Sequence, residues 1–210
     1  MTTQVEDIST LEIAPIVVRL QSVIDLTDDQ FYEFCQLNRD LRIERTAIGE
    51  LMIMPPVGGE GSKRNADLTV ELGLWNRQTK LGVVFDSSGG FKLPNGAERS
   101  PDAAWVRLDR WNALTTRQRK RFPPICPDFV VELRSETDSL EPLQAKMQEY
   151  LDNGLRLGWL IDPKTQTVEI YRLGQAVDVL PSPKTLSGED VLPGFVVDLK
   201  LLNITCQVNF

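Results

Sequence analysis

The chain has 210 residues, 41% hydrophobic and 25% charged, which is enough for one sizeable core and too short for two ordinary domains. It contains no histidine, which excludes Ser-His-Asp and Cys-His nucleophiles, His-ligated zinc and His general bases. A net charge of −7 argues against a high-affinity, non-specific nucleic-acid binder, though not against an enzyme that meets nucleic acid transiently.

Residues 1–26 mix polar and apolar positions without a clear period and read as a loosely attached N-terminal extension. Thr27-Asp28-Asp29-Gln30 has the form of a capping box, so a helix should start there and end near Asn38. The runs Leu41–Glu44 and Glu50–Met54, divided by Gly49, predict a β-hairpin. Pro55-Pro56 breaks the strand and Gly58-Gly59-Glu60-Gly61 reads as a loop. Leu68, Leu72 and Trp75 then mark one face of a helix running from Ser62 to about Lys80. Short strands follow at Gly82–Phe85, Phe91–Leu93 and Pro101–Val106, and residues 109–122 form a basic helical segment. Asp128–Arg134 is the most strand-like stretch, and a helix from about Glu141 to Asn153 carries Pro142 in its first turn. Gly158–Asp162 and Thr167–Tyr171 predict a second hairpin, with short strands around Val177–Leu180 and Phe195–Leu199.

This order predicts an α/β (α+β) fold in which helices flank a mixed central sheet. We expect a single domain over 27–210, with a core at 27–172 and C-terminal β additions at 173–210. Cys35, Cys126 and Cys206 form no Cys-x-x-Cys pair and suit a reducing compartment. With no apolar stretch of membrane-spanning length and no signal-like N-terminus, the expected location is cytoplasmic, away from membranes.

Glu132 is the oddest residue. Alternation puts Asp128, Val130, Glu132 and Arg134 on one face of its strand and Phe129, Val131 and Leu133 on the other, so both faces carry aliphatics. A carboxylate there needs a cation, a metal or several hydrogen bonds. It is either a buried Glu paired with a base or a metal ligand. Asp102 opens another strand, and two acids on two strands can share a hard divalent ion such as Mg²⁺ without histidine; a Pro-Asp pair also commonly just starts a turn. Lys146 falls at the edge of the stripe formed by Leu143, Met147, Tyr150 and Leu151. It can reach the sheet, or simply snorkel or pair with Glu149. The run Arg117-Gln118-Arg119-Lys120-Arg121 is either a phosphate-backbone contact or a solvated helix face.

Taken together, these phrases resemble a known family. They are Arg99-Ser100-Pro101-Asp102-Ala103-Ala104-Trp105-Val106, Pro127–Ser135 with Glu132-Leu133-Arg134, Lys146-Met147-Gln148-Glu149-Tyr150, and Gly154–Pro163. Their order resembles the Uma-type bacterial restriction endonuclease family, within the PD-(D/E)XK or restriction-endonuclease-like superfamily. The resemblance spans roughly 27–172. It implies a restriction-endonuclease-like fold and an Mg²⁺-dependent (or Mn²⁺-dependent) endonuclease acting on nucleic acid, with DNA favoured over RNA. Asp102 and Glu132 would hold the ion, with the Leu133 carbonyl as a further ligand. Where the superfamily has Lys on the strand this chain has Arg134; the resemblance gives the catalytic role to Lys146 and a supporting acid role to Glu44. Lys146 would orient or help deprotonate the attacking water. Arg134 suits a phosphate or Glu132 itself, because a guanidinium is a poor base. Arg117, Arg119, Lys120 and Arg121 are the other candidate nucleic-acid contacts, and a homodimer is expected because cutting both strands takes two sites. The alternatives are a degenerate nuclease fold that only binds nucleic acid or protein, and a structural module in which Glu132 is merely ion-paired.

Overall fold

The computed structural model describes residues 15–202. Thr27 caps α1 (Asp28–Leu37) through the reciprocal Thr27–Gln30 capping box. The first hairpin is β2 (Arg42–Arg45) and β3 (Leu51–Met54). β1 (Ile16–Val18) adds to its outer edge, pairing antiparallel with β3, so the last part of the expected extension is a strand of the sheet. Two short strands, β5 (Phe91–Lys92) and β6 (Glu98–Arg99), complete a five-stranded sheet of order β1-β3-β2-β6-β5.

α2 (Gly59–Thr79) starts one turn earlier than the glycines suggested. Gly58 serves as its N-cap, and Ser62 N–H closes the first turn on the Gly58 carbonyl at 2.9 Å. A glycine cap costs little. Gly61 is needed for space, since a Cβ there would lie 2.6 Å from Val57 Cγ1.

The second sheet has six strands in the order β11-β10-β9-β8-β7-β4. They are β4 (Gly82–Asp86), β7 (Ala103–Arg107), β8 (Phe129–Leu133), β9 (Leu157–Asp162), β10 (Thr167–Arg172) and β11 (Asp178–Pro181). Only β8 and β9 run parallel, joined by the crossover helix α5 (Leu140–Asp152). The basic segment splits into α3 (Leu108–Ala113) and α4 (Thr116–Arg119), because Leu114 is extended and Thr115 caps a new helix with Gln118. A small hairpin, β12 (Thr185–Ser187) with β13 (Val196–Asp198), lies near the C-terminal end of the described residues.

The six-stranded sheet is covered on both faces. Phe129, Val131 and Leu133 of β8 pack with Leu68, Leu72 and Trp75 of α2 and with Leu186, Leu192 and Phe195 of the C-terminal segment. Val130 packs on the other side with Met147, Tyr150 and Leu151 of α5. Every residue of β8 is therefore buried, Glu132 included, as the alternation predicted. A third, smaller cluster joins Phe31 of α1 to Ile43 and Leu51 of the first hairpin. Cys35 and Cys126 are free, and Cys206 lies outside the described residues. Among the described residues no helix is long and apolar enough to cross a membrane.

Candidate active site

The two sheets and the N-terminal part of α5 enclose a cavity of about 880 Å³. Glu44 from β2, Asp102 at the entry to β7, Glu132 and Leu133 from β8, and Lys146 from α5 all line it. Arg42, Asn65 and Arg99 border the same space, and Met52, Met54, Pro55, Pro142 and Leu143 form an apolar wall.

β2 sets the position of Asp102. Glu44 Oε1 accepts from Ser100 N–H at 3.0 Å, while Arg42 Nη2 donates to the Ser100 carbonyl at 2.5 Å, so one strand face grips the residue two before Asp102 from both sides. Asp102 Oδ2 accepts from Leu133 N–H at 2.8 Å, tying it to the end of β8. Its Oδ1 accepts from Arg42 at 3.3 Å and from Asn65 Nδ2 at 3.2 Å.

Lys146 joins the other two acids. Its Nζ lies 2.8 Å from Glu44 Oε1 and 2.9 Å from Glu132 Oε1, with the side chain 9% exposed. Tyr150, one helical turn on, donates to the same Glu132 oxygen at 3.1 Å. Glu44 also receives Arg99 at 3.2 Å, and Arg99 in turn donates to Glu149 at 2.5 Å. Glu149 is thus engaged with Arg99 rather than Lys146.

Burial and neighbouring charge drive the two glutamates apart. Burial raises both, but in Glu44 the charges of Lys146, Arg99 and Arg42 win and hold the carboxyl down to about 2. In Glu132 burial dominates, opposed by Lys146 and reinforced by the charges of Asp102 and Glu44, and the carboxyl is pushed up to about 7. For Lys146 burial favours the neutral amine, but Glu132 and Glu44 outweigh it and raise its pKa, keeping it protonated. Lys146 thus stands as an ammonium shared between the two carboxylates.

The donor set suits a hard divalent cation. Two carboxylates from neighbouring strands share one cavity, and Glu132 sits under a charge strain that a cation would relieve. Both partners of Glu132 address Oε1, and the Oδ1 of Asn65, whose Nδ2 meets Asp102, is buried without a hydrogen-bond partner among the described residues. No group of three or more Asp, Glu or Cys side chains among the described residues is arranged to hold an ion. Further ligands would have to come from carbonyl or amide oxygens and water.

The other expected contacts divide between the cavity and a separate surface. Arg134 borders the cavity, but it pairs with Asp162 at 2.7 Å and donates to the Asp138 carbonyl at 3.0 Å, not to Glu132. β8 ends at Leu133, so Arg134 leaves the strand alternation that would have placed it beside Glu132. The Arg117–Arg121 run does not line this cavity. Arg117 and Arg121 pair with Asp29 at 2.5 and 2.6 Å, and Arg119 donates to the Leu114 and Asn112 carbonyls. Sequence reasoning missed Arg42, Asn65 and Arg99. Arg42 was within reach, because it stands two residues from Glu44 on the same strand face.

A family model described as "Uma2: Putative restriction endonuclease" matches residues 28–203. Among solved structures, the chain is similar to "a putative nuclease belonging to DUF820" from Anabaena variabilis ATCC 29413. The TM-score is 0.69 at 19% identity, covering 85% of this chain and 97% of that one, so the likeness is one of fold. No curated protein matches the chain. With its described core spanned by that model, the chain belongs to the Uma2 family of restriction-endonuclease-like nucleases.

Proposed function

We infer that this protein is a divalent-metal-dependent endonuclease hydrolysing phosphodiester bonds in DNA. The observation that carries the reading is the convergence of Asp102, Glu132, Glu44 and Lys146 on one open cavity. Asp102 and Glu132 would hold Mg²⁺ or Mn²⁺, with the Leu133 carbonyl as a further ligand. Such an ion polarises a phosphoryl oxygen and acidifies bound water.

The chain's own residues supply the rest. Lys146, kept protonated between Glu44 and Glu132, offsets negative charge developing on the phosphoryl group and orients the attacking water. Glu44 positions Lys146 and, through Ser100, the segment leading into Asp102. Arg99 neutralises Glu44, the acid that the ion does not bind, and Arg42 pairs with Asp102 from the other side. The apolar wall of Met52, Met54 and Leu143 keeps bulk water from one side of the site and offers a surface to sugar and base. One centre cuts one strand, so duplex cleavage calls for a homodimer.

The test is nicking of supercoiled plasmid in Mg²⁺ or Mn²⁺. Wild-type protein should nick, and Lys146→Ala should lose at least about a hundredfold in rate. Equal activity in both proteins would overturn the assignment.

A further inference from the structure

Two polar atoms at the site have no use in the protein alone. Asn65 Oδ1 and Arg42 Nε are buried and have no hydrogen-bond partner among the described residues. Both belong to side chains that clamp the same atom, Asp102 Oδ1. A buried acceptor left unmatched is costly, so an idle amide oxygen on a side chain that lines the cavity points to a missing ligand.

We propose that Asn65 is a third protein ligand of the divalent ion, binding it through Oδ1. This rests on the reading that Asp102 and Glu132 hold that ion. Asn65 stands against Asp102 through Nδ2, 3.2 Å from Asp102 Oδ1, which leaves Oδ1 as the unmatched end of an amide held beside one of the two acids. Asn65 lies in the second turn of α2, whose first turn packs against Val57, so its backbone is fixed relative to the cavity. A neutral amide also adds an oxygen without adding a fourth negative charge beside Glu44, Asp102 and Glu132. With Asn65 the ion would have three protein side chains where Asp102 and Glu132 alone supply two.

The test is Mn²⁺ and Cd²⁺ binding by calorimetry on wild type, Asn65→Leu and Asn65→Cys, with metal-free melting curves to verify folding. Asn65→Leu, nearly the same size, should weaken Mn²⁺ binding at least about tenfold. Asn65→Cys should shift the Cd²⁺-over-Mn²⁺ preference by at least about tenfold relative to wild type, because only a sulfur on the ion itself favours the softer metal. Unchanged Mn²⁺ affinity in Asn65→Leu would overturn the proposal and leave the Asp102–Glu132 site standing. Equal weakening of both metals in Asn65→Cys would also overturn it, making Asn65 a support for Asp102. Absence of Mn²⁺ binding in folded wild type would remove the metal site and this proposal with it.

Discussion

Replacing Lys146 by Met keeps the stem's volume and removes its charge. It leaves two buried carboxylates, 1% and 3% exposed, that had Nζ at 2.8 and 2.9 Å. Losing one partner of a buried ion pair costs about 3–5 kcal/mol. Glu44 keeps Arg99 and the Ser100 N–H, and Glu132 can escape by taking up a proton, because its carboxyl already stands at about 7. The cost should therefore fall at the lower end, about 3 kcal/mol at about pH 8. For a chain of this size that lowers Tm by roughly 6–12 °C. At about pH 5.5 Glu132 is already protonated in the wild type, so the loss should shrink by about half. Adding Glu132→Gln to Lys146→Met should recover stability at high pH. Thermal unfolding by circular dichroism at the two pH values is the assay. A drop below about 2 °C, or one independent of pH, would refute the idea that Lys146 neutralises a buried acidic pair.

Two more outcomes follow from the same charges. Native Glu132 stands above its ordinary 4.5, so the folded protein holds an extra proton between about pH 4.5 and 7. Its contribution to stability is present in acid and lost as pH rises through 7, whereas Glu44, held near 2, contributes above pH 4.5 and loses that contribution toward 2. An ion on Glu132 must displace its proton. The Mg²⁺-induced rise in Tm should therefore grow with pH up to about 7 and then level off; a rise that is flat across that range, or one that survives in Glu132→Gln, would contradict this. Separately, Lys120 and Arg119 are the exposed members of the basic run not committed to Asp29. If they touch phosphate, replacing both with Ala should flatten the salt dependence of DNA binding by about one to two units of slope; an unchanged slope assigns the run to a solvated face.

What could be read from the sequence was what depends on local period and capping. The Thr27 capping box, the two hairpins and the doubly covered strand carrying Glu132 all stand where the pattern put them. The start of α2 did not, because Gly58–Gly61 has loop composition and helical geometry held by tertiary packing on Val57. β1, β6 and β12 are two or three residues long and exist only through their partners. The acids stood out as misfits against an apolar pattern. Their partners did not: Asp102 meets Asn65 across 37 residues and Arg42 across 60, and no local pattern encodes such pairings. The pairing of Arg134 with Glu132 failed for a related reason, since the alternation used to place it stops one residue earlier, although Arg134 still borders the cavity.

The most direct measurement is calorimetric titration of Mg²⁺ or Mn²⁺ into wild type and Asp102→Asn, a nearly isosteric change that removes the charge. One ion should bind per wild-type chain, and the variant should bind it at least about tenfold more weakly while remaining folded. If folded wild type binds no ion at about 10 mM metal, or if the variant binds it equally well, Asp102 and Glu132 are not a metal site.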